Sequence, residues 1–308
     1  MSIVDYMPET YYNSFGGHKP AIRIRPGDAV RTITADAHGV DKDNREVAPT
    51  GNPLTGPFFI EGARLGDSIT VRLDRLRPNR PGCWSHASVA PNTVDPAHVP
   101  SLPEPGYVDW VIEPGEGTSP SGERVRLKDA GRNRIDLSFC VNPMLGCIGV
   151  APPDGQVISS LTSGRHGGNM DWRGTVEGMT FYFPVFSEGA LLYVGDGHAC
   201  QGDGEIVGSG VEVSFDVQFS VDLIRGRRIN WPRGEDETFV FAMGNARPLD
   251  QALQHSTTEM LIWLQEEYGF SAVEAGLLLG FAAVYDVGNV FDPAYTVVCK
   301  VSKTYIKK

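Results

Sequence analysis

Cysteine is scarce in this chain, and its few cysteines follow no recognised pairing or metal-binding pattern. The 308 residues contain an odd number without any C-x-x-C pair: Cys83, Cys140, Cys147, Cys200 and Cys299. A disulfide framework needs an even set, and a cysteine-based zinc site needs closely spaced pairs. The pattern disfavours both kinds of site and predicts a reducing compartment, the cytoplasm, as the location.

Basic clusters and long apolar runs are also lacking. The chain has 27 Lys and Arg against 38 Asp and Glu, and its longest basic clusters are the pairs Arg227–Arg228 and Lys307–Lys308. Because nucleic-acid binders concentrate basic residues in a patch, we expect no nucleic-acid partner, and the net charge of −11 indicates solubility. No apolar run approaches the ~18 residues that cross a bilayer. Residues 1–15 show no signal-peptide pattern, so we expect no membrane association.

Glycine and proline, in contrast, are abundant. The 36 Gly and 22 Pro follow no repeat period, which predicts many turns and a β-rich fold. Residues 211–221 alternate strictly, with apolar side chains at odd positions and polar ones at even positions. This pattern predicts a strand with one buried face, and therefore an antiparallel sheet in a sandwich or barrel. Ile69, Val71 and Leu73 indicate a second half-buried strand.

Helical signals are confined to the last quarter of the chain. Apolar residues recur at helical spacing over 249–268, and Gly269 occupies the expected C-terminal cap. Ser271 and Glu274 form a capping-box pattern that opens a second helix, and a strand with Cys299 follows. We therefore predict a mainly β protein. An antiparallel β-sandwich or barrel core would span residues 1–225, and an α+β C-terminal part with a helical hairpin would span 226–308 of the same unit.

One proline-rich segment interrupts the predicted core. Residues 78–134 contain prolines at positions 81, 91, 96, 100, 103, 105, 114 and 120. Proline cannot donate a hydrogen bond to a sheet ladder, so it is rare in central strands. The segment is therefore predicted to be a long excursion over the surface without central strands.

Three segments concentrate histidine, carboxylates and glycine: 36–39, 166–171 and 195–205. Residues two apart in an extended segment project to the same side. Asp36 with His38, and Asp196 with His198, would each present an imidazole beside a carboxylate. Such a pair suits a divalent metal or an oriented general base. An isolated Asp-x-His pair is usually structural. Two pairs together with His166 and Asp171 in glycine-rich turns support a functional role as well as a structural one, and the pattern alone leaves both open.

A cysteine nucleophile is the alternative that the residues leave open. There is no G-x-S-x-G elbow, no P-loop and no dinucleotide fingerprint. Cys200 lies two residues from His198, and a thiolate beside an imidazole could attack an amide. A cysteine at this place is also commonly just a small buried residue.

These segments resemble the acetamidase/formamidase family. The block His-Gly-Gly-Asn-Met-Asp, followed about 25 residues later by Gly-Asp-x-His-x-x-Gln-Gly-Asp-Gly-Glu, is far more specific than any single short motif. The resemblance runs from about Asp28 to the end of the chain. It is carried by Leu54–Pro57, Glu61–Asp67, Gly146–Pro152, His166–Asp171, Pro184–Val185, Glu188–Leu192 and Gly195–Glu205, with the two C-terminal helices.

The resemblance implies a hydrolase that acts on C–N bonds of short linear amides such as formamide and acetamide, with relatives acting on small lactams. It also implies an all-β core with an α+β C-terminal part, a homo-oligomer (a dimer or higher) and a bound divalent metal, usually zinc. Two features depart from the family pattern. Cys200 occupies a position usually held by a small residue such as alanine, and residues 78–134 differ among members and are expected to shape the pocket mouth.

The resemblance does not choose the ligands, but hydrolysis by a metal-activated water predicts roles for individual residues. Glu205 would carry the proton from water to the departing ammonia, and His166 would stabilise the oxyanion or bind the metal. Asn169 and Gln201 would bind the carboxamide through their side-chain amides. Three or four metal ligands would come from Asp36, His38, Asp171, Asp196 and His198. The alternatives are a metal-free amidase with a nucleophile such as Cys200, and a non-catalytic β-sandwich binding protein.

Overall fold

Strands dominate the computed structural model, which describes residues 2–115, 122–128 and 136–306. This confirms the predicted mainly β class. In chain order the strands are β1 (Ile3–Asp5), β2 (Ser14–Phe15), β3 (Ile22–Ile24), β4 (Ala29–Ile33), β5 (Leu54–Ile60), β6 (Ser68–Pro78), β7 (Gly82–His86), β8 (Tyr107–Pro114), β9 (Glu123–Leu127), β10 (Ser138–Cys140), β11 (Met144–Gly149), β12 (Ile158–Ser159), β13 (Ser163–Gly164), β14 (Gly167–Asn169), β15 (Thr180–Pro184), β16 (Leu192–His198), β17 (Phe215–Ile224), β18 (Arg233–Glu235), β19 (Phe239–Ala246), β20 (Val284–Val287) and β21 (Tyr295–Ser302). The α-helices are α1 (Leu249–Tyr268) and α2 (Ala272–Ala282).

Two large sheets form the body of the protein. The nine-stranded sheet has the order β1-β4-β17-β6-β15-β18-β19-β21-β20, and the six-stranded sheet has the order β13-β14-β11-β16-β5-β3. Within them the strand pairs are antiparallel except β1 with β4 and β3 with β5. Residues from both sheets share one hydrophobic core, where the rings of Phe58 on β5 and Phe219 on β17 lie 5.1 Å apart. The predicted antiparallel sandwich is thereby confirmed.

The C-terminal helices form as the local signals predict. Helix α1 ends at Gly269, whose φ of 74° lies in the left-handed region that glycine adopts at little cost. At the start of α2 the Ser271 hydroxyl accepts from the Glu274 N–H, and the Glu274 carboxylate accepts from the Ser271 N–H. Trp263 of α1 packs on the outer face of the nine-stranded sheet, against Cys299 and its neighbours. No helix of the described residues is long and apolar enough to span a membrane.

The alternating segment 211–221 is only partly a strand of the large sheet. Strand β17 begins at Phe215, four residues later than the pattern predicts. The preceding residues leave the sheet and lie between β7 and β16: Glu212 donates its N–H to the Trp84 carbonyl, and Val213 donates to the Gly197 carbonyl. Alternation alone could not find this boundary, because both parts are extended and bury their odd-numbered side chains.

The prediction that residues 78–134 lack central strands was wrong. Strands β7, β8 and β9 lie in this segment and join β10 in a four-stranded sheet of order β10-β9-β8-β7, so β8 and β9 are inner strands. The prolines do not prevent this because they lie between strands, at positions 91–105, or at strand ends: Pro81 directly precedes β7, and Pro114 is the last residue of β8. Residues 116–121 and 129–134 of the segment, including Pro120, lie outside the described residues.

Candidate functional site

Several acidic side chains and one histidine converge at one end of the six-stranded sheet. Asp196 and His198 lie on β16, and Asp171 follows β14 by two residues. Strand β11 pairs with both strands, and its Gly146 lies between the two carboxylates. A Cβ atom at Gly146 would lie 2.3 Å from Asp171 Oδ1 and 2.4 Å from Asp196 Oδ2. Only glycine therefore lets these two carboxylates approach each other across β11.

His198 is fully buried at the centre of this group. Its Nε2 lies 3.0 Å from Glu212 Oε1 and 3.5 Å from Asp196 Oδ1, without the alignment of a hydrogen bond. Its Nδ1 lies 2.8 Å from Gln201 Oε1. Burial alone would lower the pKa of His198, but Glu212 and Asp196 outweigh that effect and raise it well above the ordinary value. The His198 ring is therefore positively charged and held in a fixed orientation. With Nε2 deprotonated, the same ring could instead bind a metal cation.

Two overlapping sets of side chains have the spacing of metal ligands. One set is Asp171, His198 and Glu205, and the other is Asp196, His198 and Glu212; within each set the potential ligand atoms all lie within 4.8 Å of one another. Atoms of both sets lack hydrogen-bond partners among the described residues although they are buried: Asp171 Oδ1, Asp196 Oδ1, His198 Nε2 and Glu212 Oε2. Buried carboxylate oxygens and an imidazole nitrogen without partners are the donor set that a divalent cation uses.

Burial and mutual repulsion determine the protonation of the carboxylates. Burial raises the pKa of Asp171 and of Glu205 well above the ordinary range, and neighbouring carboxylates raise both further. Burial also raises the pKa of Glu212 to about 7 and that of Asp292 to about 6. Without a cation the cluster therefore holds protons near neutral pH, and a bound cation would take their place.

Three acidic residues of the cluster have left-handed backbone conformations. The φ angles are 43° for Asp171, 58° for Asp196 and 48° for Glu205. Non-glycine residues adopt such angles infrequently, and they concentrate where the surrounding structure holds a functional geometry. The backbone thus turns these carboxylates inwards at a conformational cost of roughly 1 kcal/mol or more each.

Side-chain amides form hydrogen bonds with residues of the cluster. Asn169 Nδ2 donates to Asp292 Oδ2 at 2.5 Å, and Gln201 Nε2 donates to the Asp171 carbonyl at 2.5 Å while its oxygen faces His198. Asn52 Nδ2 donates to Asp196 Oδ2 at 2.9 Å. In this structure Asn169 and Gln201 therefore position other site residues; contact with a substrate amide stays a prediction for both.

His166 lies apart from the two ligand sets. It is buried among glycine backbone, with its ring 5.1 Å from the ring of Phe15 and no hydrogen-bond partner on Nε2 among the described residues. Burial lowers its pKa to about 4. The ring is therefore neutral at physiological pH, and the structure does not bring it to the carboxylate cluster.

This burial predicts a pH effect on stability. The unfolded state binds a proton on His166 below pH 6.5, whereas the folded state does so only near pH 4. Stability is thus lost as the pH falls through this window, and His166 should contribute a loss of about 2 kcal/mol between pH 7 and pH 5. In denaturant titrations at pH 7 and pH 5, the free energy of unfolding of the His166→Gln variant should fall by about 2 kcal/mol less than that of the unmodified protein. Equal losses in the variant and the unmodified protein would contradict the assignment.

Asp36 and His38 do not belong to either ligand set. The Asp36 carboxylate pairs with the Arg80 guanidinium and accepts from Trp84 Nε1 at 3.1 Å. His38 stacks on the Trp84 ring at 3.6 Å. The two residues are not in an extended segment, because Asp36 Oδ1 accepts from the His38 N–H and closes a turn. The physical premise of the predicted Asp36–His38 ligand pair is therefore absent, whereas Asp171, Asp196 and His198 come together with Glu205.

Sequence reasoning missed several residues of the site. Glu212 was assigned to the solvent face of a strand, and Asp292 carried no motif. Cys147 is fully buried beside the cluster, with its Sγ 2.8 Å from Asn169 Oδ1. The only local signal for Asp292 was the turn that it forms with Asn289, whose side-chain oxygen accepts from the Asp292 N–H at 3.3 Å.

Sequence comparisons show which known proteins this chain is similar to. Residues 156–286 match the sequence model of the acetamidase/formamidase family, and this range includes both ligand sets but not Asp292. The formamidase of Methylophilus methylotrophus is 41% identical, covering 66% of this chain and 61% of that protein. The acetamidase of Mycolicibacterium smegmatis is 26% identical, covering 64% and 59%. The chain thus spans about six tenths of the length of these curated relatives.

The fold is shared over the whole chain. The crystal structure of an acetamidase from Yersinia enterocolitica superposes with a TM-score of 0.83 at 27% identity, covering 99% of this chain and 93% of that one. Sequence and fold agree in what the chain resembles: its residues 156–286 match the model of the acetamidase/formamidase family, and its fold is similar to that of a solved acetamidase.

Proposed function

We propose that this protein hydrolyses the C–N bond of a small carboxamide, giving a carboxylate and ammonia, at the cluster around His198. One observation carries the proposal. His198 is shared by two sets of buried acidic side chains whose inward atoms have no partner among the described residues. Similarity to the acetamidase/formamidase family over residues 156–286 supports the reaction class.

We further propose that the cluster holds a divalent cation, with zinc as the favoured metal. Among the described residues no Lys or Arg forms an ion pair with Asp171, Asp196, Glu205, Glu212 or Asp292. Buried carboxylates without a cationic partner are costly, and histidine with carboxylate oxygens is a ligand set that zinc accepts. When bound, the cation would polarise the amide carbonyl and acidify the attacking water.

The protein's own groups would orient this cation and move the protons. Glu205 would accept the proton of the attacking water and pass it to the departing nitrogen, which its raised pKa suits because a carrier must both bind and release the proton. Gln201 would fix the His198 ring through Nδ1, leaving Nε2 directed at Asp196 and Glu212. Asn169 would hold Asp292. His166, neutral and buried, is assigned no proton-transfer step.

A substrate panel tests the reaction. Purified protein should release ammonia from formamide or acetamide, with a small lactam as the comparison substrate. A linear amide turned over faster than the lactam supports the proposal. Hydrolysis of the lactam frees no ammonia, so it is followed as formation of the ring-opened amino acid. Ring opening of the lactam without ammonia from the linear amides would replace linear amides by lactams as the substrate class, and no hydrolysis of any of these substrates would favour the non-catalytic binding protein.

The alternative with Cys200 as nucleophile has less support. Burial raises the pKa of the Cys200 thiol to about 11, so the thiol is protonated at neutral pH. We therefore expect the Cys200→Ser variant to keep ammonia release from acetamide within about twofold of the unmodified protein, because a thiolate nucleophile would lose far more. Loss of activity in this variant, with a normal circular dichroism spectrum, would instead support the thiol mechanism.

We also propose that the protein is a homo-oligomer that associates through α2. Ten of the eleven residues of this helix are apolar or glycine, yet only Ala275 is buried, and Val273, Leu277 and Phe281 form an exposed stripe. The edge strand β20 beside it has open backbone groups. Because the chain carries a net charge of −11, copies can approach closely only at an uncharged surface, and Glu274 is the one charged residue of α2.

Association through α2 gives a specific prediction. Phe281 is 87% exposed, so the Phe281→Asp variant should fold normally but shift the protein from oligomer to monomer in light scattering after size exclusion. Leu65, 72% exposed on the turn before β6, is the matched control, and its Asp variant should keep the oligomer. An oligomer unaffected by Phe281→Asp would place the interface elsewhere.

The cytoplasm remains the proposed location. All five cysteines are free thiols in the structure, and three of them are buried. Reduced thiols suit a reducing compartment. Fractionation of the native host, with blotting for the protein, tests this directly.

A further inference from the structure

An open apolar cleft of about 500 Å³ is lined in part by Val207 and Phe291, which are close in sequence to Glu205 and Asp292 of the carboxylate cluster. One wall comes from the proline-rich segment 89–106, and the other from Val207 and Phe291. Most of the lining side chains are apolar, and Glu104 is its one carboxylate among the described residues. Ligand pockets of this size are typically apolar with few polar groups, and this volume far exceeds what the methyl group of acetamide fills.

The loops that line the cleft also carry site residues. Val207 follows Glu205 by two residues, and Phe291 directly precedes Asp292. The two loops are joined, because the Val290 N–H donates to the Gly204 carbonyl at 2.9 Å. A Cβ atom at Gly208 would lie 2.6 Å from the Phe291 ring, so this ring packs directly over the loop. The same two loops thus carry both the cleft-lining side chains Val207 and Phe291 and the acidic site residues.

Residual exposure indicates the side from which the cluster is reached. Glu205 and Asp292 are each 6% exposed, whereas Asp171 and His198 are completely buried and Asp196 is 2% exposed. The two acidic residues with the greatest exposure are those next to the cleft-lining side chains. Approach from the cleft would therefore meet Glu205 and Asp292 first.

Aromatic side chains extend the apolar surface at the cleft. The His86 ring lies 5.1 Å from Tyr107 and 6.4 Å from Phe291. Its position is fixed, because His86 Nδ1 lies 2.9 Å from the Gly208 carbonyl. Phe291 and Tyr107 are exposed although nothing in the described chain requires a large apolar side chain there, which is typical of a surface that a ligand covers.

We infer that this cleft binds the acyl substituent of the substrate, and that the preferred amide carries an apolar chain of roughly four to six carbons or a phenyl ring. The inference rests on the proposed amide hydrolysis. The reaction is unchanged: water adds to the carbonyl carbon, the C–N bond breaks, and ammonia leaves with the second proton. The carboxamide faces Glu205 while the acyl chain lies along Val207, Leu102 and Phe291.

The test compares substrates and a variant that fills the cleft. We would measure kcat/KM for ammonia release from acetamide, butyramide, hexanamide and phenylacetamide, with the unmodified protein, Val207→Trp, and Leu65→Trp as the control outside the cleft. Because each methylene bound in an apolar pocket is worth about tenfold or more, kcat/KM should rise from acetamide to hexanamide by at least about tenfold. The ratio of kcat/KM for hexanamide to kcat/KM for acetamide should fall at least tenfold in Val207→Trp and stay unchanged in Leu65→Trp.

Hexanamide binding, measured by calorimetry, separates this inference from the reaction itself. Ammonia from acetamide with no preference for hexanamide, or a preference that Val207→Trp does not alter, would overturn the inference and leave amide hydrolysis standing. Hexanamide that binds the unmodified protein but not Val207→Trp, without ammonia from any amide, would support the cleft as a binding site and overturn the reaction.

Discussion

Replacing His198 by alanine is expected to abolish amide hydrolysis, lowering kcat/KM for acetamide by roughly 10³-fold or more. Loss of a group that orients or activates the reacting water typically costs 10²–10⁴-fold. His198 is the one residue common to both acidic sets, so its loss disrupts both at once. The metal content of the purified variant, measured by mass spectrometry, should fall in parallel, because no other imidazole lies in either set of the described residues.

The matched control is His255→Ala. This histidine lies on α1, where its ring stacks on Trp231 at 4.4 Å. Its removal should leave activity and metal content within about twofold of the unmodified protein. Full activity in His198→Ala would contradict the assignment of the site, and an inactive variant that still carries its metal would show that His198 serves the reaction without holding the cation.

Gly146→Ala is expected to have the second-largest effect. Its new methyl group would lie 2.3 Å from Asp171 Oδ1 and 2.4 Å from Asp196 Oδ2, distances at which one or both carboxylates must move. Overpacking of this kind costs about 1–3 kcal/mol of stability, and displacement of reacting groups by ~1 Å can cost 10²-fold in rate. We expect kcat/KM to fall about 10²-fold and metal content to fall with it, as measured on the folded variant.

Gly82→Ala provides the comparison for this substitution. Gly82 lies on β7, where an added Cβ would meet no atom within 4 Å. Its alanine variant should therefore retain activity and stability. If Gly146→Ala were as active as Gly82→Ala, the close approach of Asp171 and Asp196 would have no part in the reaction.

The part of the site that sequence predicts is the part that local geometry determines. Asp196 and His198 lie two residues apart on β16, and the period of a strand predicts that their side chains are neighbours, as the 3.5 Å between Asp196 Oδ1 and His198 Nε2 confirms. The left-handed φ of 58° at Asp196 shows that the surrounding structure, and not the strand period alone, sets this geometry. The same argument failed for Asp36 and His38, because that segment is a turn in which the Asp36 carboxylate binds its own backbone. A two-residue spacing in the sequence therefore does not by itself establish that two side chains meet.

Glu212 and Asp292 could not be predicted, because long-range contacts bring them to the site. Glu212 reaches His198 only because the chain leaves the large sheet before β17 and pairs with Trp84. Asp292 reaches Asn169, 123 residues earlier, through a loop after β20. Neither contact leaves a periodic or local trace in the sequence, whereas the caps at Gly269 and Ser271 act within one turn and are predictable.

The most direct test of the account is ammonia release from acetamide before and after dialysis against a chelator, with metals then added back singly. We expect activity to be lost on chelation and to return with a stoichiometric amount of one divalent metal, zinc being the expected one. We also expect His198→Ala to recover no activity with any metal. Activity that survives complete removal of metal would contradict the central claim that the buried cluster works through a bound cation.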